Sequence, residues 1–173
     1  MPMVSGTWSF NSQDLNVAGK YMTDVLSGYD LPPVRGENIL IPFAHGKTFV
    51  QKYFDERVIQ FGMAILGTDL TDLQTNIDAM LGVLGKRSQS LLIHTMPDGS
   101  IRQAYAEVID SIKLKHQNDQ VALAVVEFLM AEPFFRATTT TNVSGTMSGG
   151  TISVNVNNPG SAPELNLIIT LDG

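Results

Sequence analysis

Three histidines, three aspartates on one predicted helix and a glycine-rich run are the residues whose types could support chemistry. His45 and His116 fall at predicted turns and His94 in the middle of a predicted strand. None has a second histidine at metal-ligand spacing. His94 on a strand face reads as a satisfied, partly buried side chain rather than a general base. Asp69 and Asp72 sit where helix capping and the positive end of the helix dipole already account for them, and Asp78 lies off the apolar stripe, where it is solvated. Asp55-Glu56-Arg57 reads as an exposed turn. Gly145-Thr146-Met147-Ser148-Gly149-Gly150 lacks the lysine of a phosphate-binding loop and has no helix after it, so it reads as a linker. Lys86-Arg87, Lys113 and Lys115 read as solvated charges. Trp8, the single tryptophan, reads as a packing anchor rather than a ligand platform. No serine stands in a nucleophile-elbow context, and the chain contains no cysteine, which removes thiolate nucleophiles, thiolate metal sites and disulfides together. The expectation is therefore no catalytic, cofactor-binding or metal-binding residues, and no enzyme.

Composition narrows the class further. At 173 residues, the chain is about one domain with a small appendage. A hydrophobic content of 43% is ample for a packed core. A net charge of −6 gives no electrostatic footprint for gripping phosphates, yet it suits a surface that DNA slides past without sticking. The absence of cysteine suits folding in a reducing cytoplasm. Residues 1–19 have neither a basic flank nor an apolar core, so no signal peptide is expected, and Asn142-Val143-Ser144 is then a chance glycosylation match. The longest apolar run, residues 121–130, is strand-sized and interrupted by Glu127, so no membrane span is expected.

The elements that must position these residues are mostly strands. Residues 6–10 and 21–26 are short strand candidates, residues 11–19 are polar and turn-rich, and Pro32-Pro33 marks a loop. Residues 34–42 are extended, Ala44-His45-Gly46-Lys47 turns, and residues 48–54 return antiparallel. This hairpin has mixed, polar-flecked faces and is expected to project from the core. In residues 58–66, Ile59, Phe61, Met63 and Ile65 form one apolar face. A helix is predicted from Asp69 to Leu84, capped by Asp69 or Thr71. Thr71-Asp72-Leu73-Gln74 fits a capping box, and Leu70, Leu73, Ile77, Leu81 and Leu84 form the buried stripe. Residues 90–95 are a strand. Met96-Pro97-Asp98-Gly99 is a tight turn. Residues 101–114 form a long strand with Ala104, Ala106, Val108, Ile112 and Leu114 on one face together with Asp110. After a reversal near Asn118-Asp119, residues 121–130 read as a central strand covered on two sides.

After Arg136 the composition changes to threonine, then glycine and serine. Residues 152–156 and 165–171 are strand candidates, joined by Asn158-Pro159-Gly160-Ser161-Ala162-Pro163. The expected division is a mainly β unit over residues 1–137, a β-sandwich with one helix at about 69–85 and an extended hairpin. Residues 138–173 are then a linker and the truncated or minimal start of a second β module.

The run from Arg35 to Arg136 resembles the distal tail protein family of long-tailed, non-contractile bacteriophages. The residues that carry the resemblance begin with Arg35-Gly36-Glu37-Asn38-Ile39-Leu40-Ile41-Pro42, the His45-Gly46 hairpin and the strand from Arg57 to Gly67. They continue through Thr68-Asp69-Leu70-Thr71-Asp72-Leu73, the helix, and the strand bearing Arg102 and Ala106. Asn158-Pro159-Gly160-Ser161-Ala162-Pro163-Glu164-Leu165 looks like that family's junction into its C-terminal module. The resemblance implies a ring-forming domain that assembles as a homo-hexamer at the end of the tail tube, joining the tail tube protein above to the tip hub protein below. It further implies receptor-binding proteins around the ring, DNA passing through the lumen without specific binding, and assembly in the host cytoplasm into a virion tail tip. A galectin-like module usually follows in that family, and only its first strand falls within this sequence. A different reading of the same strands is a carbohydrate- or ligand-binding β-sandwich module. That reading needs clustered exposed aromatics, whereas aromatics are 8% of residues and stand mostly at positions that look buried.

Overall fold

The computed structural model describes residues 6–43, 45–138 and 143–145. Twelve strands and one helix are assigned among them: β1 (Thr7–Phe10), β2 (Gln13–Asp14), β3 (Tyr21–Ser27), β4 (Val34–Arg35), β5 (Ile39–Leu40), β6 (Lys47–Thr48), β7 (Tyr53–Phe54), β8 (Arg57–Leu66), α1 (Leu70–Leu84), β9 (Ser90–Thr95), β10 (Ile101–Asn118), β11 (Val121–Met130) and β12 (Arg136–Ala137). The fold is mainly β, as the sequence predicts. The main sheet runs β2-β1-β9-β10-β11-β8-β3, with β12 beside β10, and the four short strands β4–β7 form two separate pairs.

The 18-residue β10 holds the body together. Its first half pairs with β9, from Ile101↔Thr95 to Ala106↔Ser90, and its second half pairs with β11. Between Ile109 and Lys113 the register shifts, because β10 carries two more residues than β11 there. Asp110 takes a left-handed φ of 62°, and its carboxylate accepts from Ser111 N at 2.7 Å. Such a bulge bends a strand and increases its twist. Ala104 and Ala106 remain buried on the predicted face with Val108, Ile112 and Leu114 against the core. The bulge turns Asp110 out to solvent, which corrects its expected place on that face.

The polar stretch of residues 11–19, read in sequence only as turn-rich, closes the sheet on itself. Asn11 and Ser12 both have positive φ and form the two-residue turn between β1 and β2. The chain then runs between β1 and β3, the first and last long strands of the sheet. Leu15 N donates to Trp8 O at 2.8 Å, and Trp8 N donates to Asn16 Oδ1 at 2.8 Å. On the other side Asn16 Nδ2 donates to Thr23 O at 3.0 Å, and Thr23 Oγ1 donates to Leu15 O at 2.6 Å. Val17 and Tyr21 exchange two backbone bonds. One side-chain amide thus satisfies a backbone group on each border of the seam, and the fully buried Leu15 fills the space beneath it.

The strand β8 behaves as its alternation predicts. Ile59, Phe61, Met63 and Ile65 are buried, and the opposite face is half-exposed. The strand β11 is central, bonded to β10 and β8, but only one of its faces is covered. Ala122, Ala124, Val126, Phe128 and Met130 are buried, whereas Leu123 stays exposed, so the expectation of cover on both sides does not hold. Trp8, Phe10, Phe61 and Phe128 interlock at the centre through edge-to-face contacts of 4.8–5.3 Å.

The helix α1 lies over the same core. Asp69 is its N-cap and accepts from Asp72 N at 2.9 Å, while Asp72 reaches back to Thr68 N at 2.9 Å. The box is therefore Asp69 with Asp72, and Thr71 has no capping role. The buried face is Leu73, Asn76, Ile77, Met80 and Leu84. Leu70 and Leu81 are exposed, which corrects the predicted stripe. Asn76 turns that stripe inward: its Nδ2 donates to Leu66 O at 2.8 Å, and its carbonyl accepts from Tyr21 Oη at 3.1 Å. Burial, and behind it the Asp72 charge, pushes the Tyr21 hydroxyl above its ordinary value. The turn after β9 is as predicted, with Asp98 accepting from both Ser100 N and Ser100 Oγ. The readings made for Ala44, residues 139–142 and residues 146–173, including the two C-terminal strands, lie outside the described residues.

The seam yields a prediction. Asn16→Leu leaves Trp8 N–H and Thr23 C=O without partners in a partly buried place, at about 1–3 kcal/mol for each group. Urea unfolding of the purified chain should show the midpoint falling by the equivalent of roughly 2–6 kcal/mol at unchanged slope. Gln13→Ala, on the exposed neighbouring strand, should stay within about 0.5 kcal/mol of the parent.

Candidate assembly surface

The hairpin predicted to project does project. The chain leaves β3 at Gly28, whose φ of +84° and whose Cα, 
with any added Cβ falling 2.0 Å from Val58 O, leave room for glycine alone. Asp55 N donates to Pro33 O at 2.8 Å and closes the base of an arm spanning residues 33–55. Val34↔Phe54 and Arg35↔Tyr53 form the inner rung, and Ile39↔Thr48 and Leu40↔Lys47 the outer one. The long strands expected over residues 34–42 and 48–54 are thus broken into two-residue pieces. Gly36, at φ +111°, interrupts the first leg beside Lys52, and Asn38 Oδ1 takes Val50 N at 3.4 Å. The two legs nevertheless stay together from base to outer rung.

The arm carries apolar side chains that its own chain does not cover. Ile39, Leu40, Phe43, Phe49 and Tyr53 are all exposed, Leu40 by 67% and Phe49 by 76%, and Phe43 is open on all sides. Phe43 also holds a left-handed φ of 59°, an uncommon conformation for a bulky residue. The expectation that the aromatics stand mostly at buried positions thus holds for the body, where most are buried or half-buried, and fails on the arm. A two-stranded ribbon has no interior, so these groups can leave water only against something else.

Where the arm joins the body, an aromatic cluster anchors it. His94 is fully buried, stacked on Trp8 with centroids 4.0 Å apart and planes 1° from parallel, and Tyr29 Oη lies 3.0 Å from His94 Nδ1. Trp8 is buried too, which makes it the packing anchor expected and not a sugar platform. Tyr29 and Phe135 pack on Trp8 at 5.9 and 6.0 Å, and at the arm's other root Phe54 meets Phe134 at 5.3 Å.

Arg57 stands in this cluster, where an exposed turn was expected. It is only 7% exposed, with its guanidinium 5.8 Å from the Phe135 ring centre and its Nε without an acceptor. Burial lowers its pKa from the ordinary value, with the charges of Tyr29 and Asp30 acting the other way. It lines an open cleft of about 400 Å³ with Gly28, Leu31, Pro33, Asp55, Glu56 and Val58. The signal was present in the sequence, since Arg57 is in phase with the buried Ile59, Phe61, Met63 and Ile65.

The other residues weighed for chemistry are dispersed. His45 is at the arm tip, His116 is exposed on β10 rather than in a turn, and Asp78 is exposed and accepts from Gln74 Nε2 at 2.9 Å. Among the described residues no three His, Asp or Glu side chains gather as a metal site, and no helix is long and apolar enough to cross a membrane.

The family described as the phage tail protein RIFT-related domain matches residues 22–130, from β3 through the arm to the end of β11. The chain belongs to that family. It is a phage tail protein, and the elements that its family shares include the arm. The fold is similar to the crystal structure of SPP1 Dit (gp 19.1), described as a paradigm of the hub adsorption apparatus in phages that infect Gram-positive hosts. The TM-score is 0.57 at 15% identity, covering 75% of this chain and 51% of that protein. The match thus spans about half of the length of SPP1 Dit. No curated protein matches the sequence.

The contrast between arm and body is testable by unfolding. Phe43→Ser should change the stability of the isolated subunit by less than about 0.5 kcal/mol, because nothing is packed on it. Phe61→Ala, in the core, should cost about 3–5 kcal/mol by the same urea titration.

Proposed function

We propose that this phage tail protein is a structural subunit of the tail tip, without catalytic turnover. In this reading copies of residues 1–137 form a homo-hexameric ring that joins the tail tube protein to the tip hub protein, and residues 138–173 lead into a further β module. Receptor-binding proteins attach around the ring, and DNA passes through an acidic lumen. The subunits assemble in the host cytoplasm and function in the virion tail tip. The observation that carries this reading is the arm, with large apolar side chains held in water beside a body whose sheet is closed at its seam. The likeness to about half of SPP1 Dit supports it.

Magnitudes favour a closed assembly over a simple pair. Burying a Phe or Leu side chain contributes about 1.5–3 kcal/mol, so three arm residues supply roughly 5–9 kcal/mol. Association costs about 4–15 kcal/mol in lost translation and rotation. One arm contact is therefore close to break-even, whereas each subunit of a ring makes two contacts.

Native mass spectrometry and negative-stain imaging test this. The parent chain, alone or with the tube and hub proteins, should give six-fold rings. A variant whose residues 36–51 are replaced by a short glycine turn should fold with the same far-ultraviolet spectrum and remain monomeric. A parent chain that stays monomeric with both partners present would overturn the reading.

A further inference from the structure

One border of the body's sheet has no neighbour among the described residues. The first half of β10 has β9 on one side and, at Arg102 and Gln103, β12 on the other. The strand β9 stops at Ser90, opposite Ala106. From Glu107 onward β10 is bonded to β11 alone, so the side that faced β9 presents backbone groups that no described strand pairs. The bulge at Asp110 divides this border. Beyond it Ile112 and Leu114 pack half-exposed against the core, and Lys113 and Lys115 are exposed in the opposite phase. A strand added beside Ile112–Asn118 would meet an apolar rim on its inner face and two cations on its outer face.

A segment outside the described residues has the matching pattern. In Leu165-Asn166-Leu167-Ile168-Ile169-Thr170-Leu171 one phase is wholly apolar, with Leu165, Leu167, Ile169 and Leu171, and the other holds Asn166, Ile168 and Thr170. Its seven residues equal the run from Ile112 to Asn118. Asp172 directly follows it, and no lysine or arginine occurs after Arg136, so the segment brings no cation to a border that already carries two. The other strand candidate, residues 152–156, is shorter and has no charge beside it. With Leu171 set antiparallel against Ile112, Ile169 falls opposite Leu114 and Thr170 opposite Lys113. Asp172 then lies opposite Ser111, on the diagonal to Lys113, where opposite charges attract.

Reach favours the chain's own segment over that of a second copy. Ala137 is held beside Arg102. At about 3.3 Å per residue, residues 138–164 can span up to roughly 90 Å, whereas β10 from Arg102 to Asn118 measures about 53 Å. Gly/Ser-rich connections hold what they join at effective concentrations on the order of a millimolar, above the concentration of a dilute second copy. We infer that residues 165–171 add to the open border of β10 in their own subunit as an antiparallel strand. Leu167, Ile169 and Leu171 extend the rim made by Ile112 and Leu114, and Asp172 faces Lys113. The segment read as the opening of a further β module is then docked on the body, and it seals a border that the two lysines alone only guard. The inference does not depend on six-fold assembly.

Hydrogen–deuterium exchange on the full chain, diluted to the monomer, tests this. Combining Leu167→Pro with Ile169→Pro removes two backbone donors from the segment without touching the described core. Peptides over residues 112–118 should exchange about tenfold faster in that variant than in the parent, while β8 stays equally slow in both. Carbodiimide treatment of a mixture of isotopically labelled and unlabelled parent chains should join Lys113 to Asp172 within single chains only. Equal exchange of residues 112–118 in parent and variant, or absence of the Lys113–Asp172 link, would overturn the docking. Links between labelled and unlabelled chains would overturn its placement in one subunit and give the strand to a neighbour. Each of these results leaves the ring reading standing, since that is decided by imaging of the assembled particles.

Discussion

A hairpin has two faces and no inside, and that constraint governs how this molecule divides its apolar surface. The body solves the problem internally. The bent β10 carries the sheet around, and the Asn16 amide bonds Trp8 on one border and Thr23 on the other. Trp8, Phe10, Phe61 and Phe128 then fill the enclosed space. The arm has no such solution. Its side chains stand on a ribbon one layer thick, and its apolar groups remain in water until another surface arrives.

The body also guards the border it does not close. Among the described residues, the second half of β10 has a bonded neighbour only in β11. That border carries Lys113 and Lys115 and is bent at Asp110, devices that discourage a stray strand from adding there. The polarity is reversed on the arm, where apolar groups dominate. In the proposed assembly, association would run through side-chain packing at the arm rather than through open-ended strand addition. The aromatic cluster of Trp8, Tyr29, His94 and Phe135 fixes the arm's root on the core; in the proposed assembly such a fixed root would reduce the freedom lost on docking.

Much of this was legible in the sequence where one physical rule dominates. The alternation of Ile59, Phe61, Met63 and Ile65 marked β8 and its buried face, short of Arg57 at its start, and Gly46 with its flanking strands marked the hairpin. Errors arose where tertiary contacts override local pattern. Asn76 is polar, so the helix stripe seemed to run through Leu70 and Leu81, yet its amide is needed at Leu66 and draws Met80 inward instead. Asn16 looked like part of a turn because its two partners, eight and seven residues away, belong to different strands. Arg57 was hidden by composition, its charge grouping it with Asp55 and Glu56 while its phase placed it with the core. The exposure of Phe43 and Phe49 had no local signal, since aromatic residues in a strand pattern are usually covered.

The central claim is that the arm's apolar face is covered by another molecule when the protein is assembled. Hydrogen–deuterium exchange, followed by peptide on dilute subunits and on assembled particles, tests it most directly. The account predicts rapid exchange over residues 38–50 in the dilute subunit and strong protection on assembly, while β8 stays slow in both. Equal exchange of the arm in the two states, with protection gained elsewhere on the surface, would contradict it.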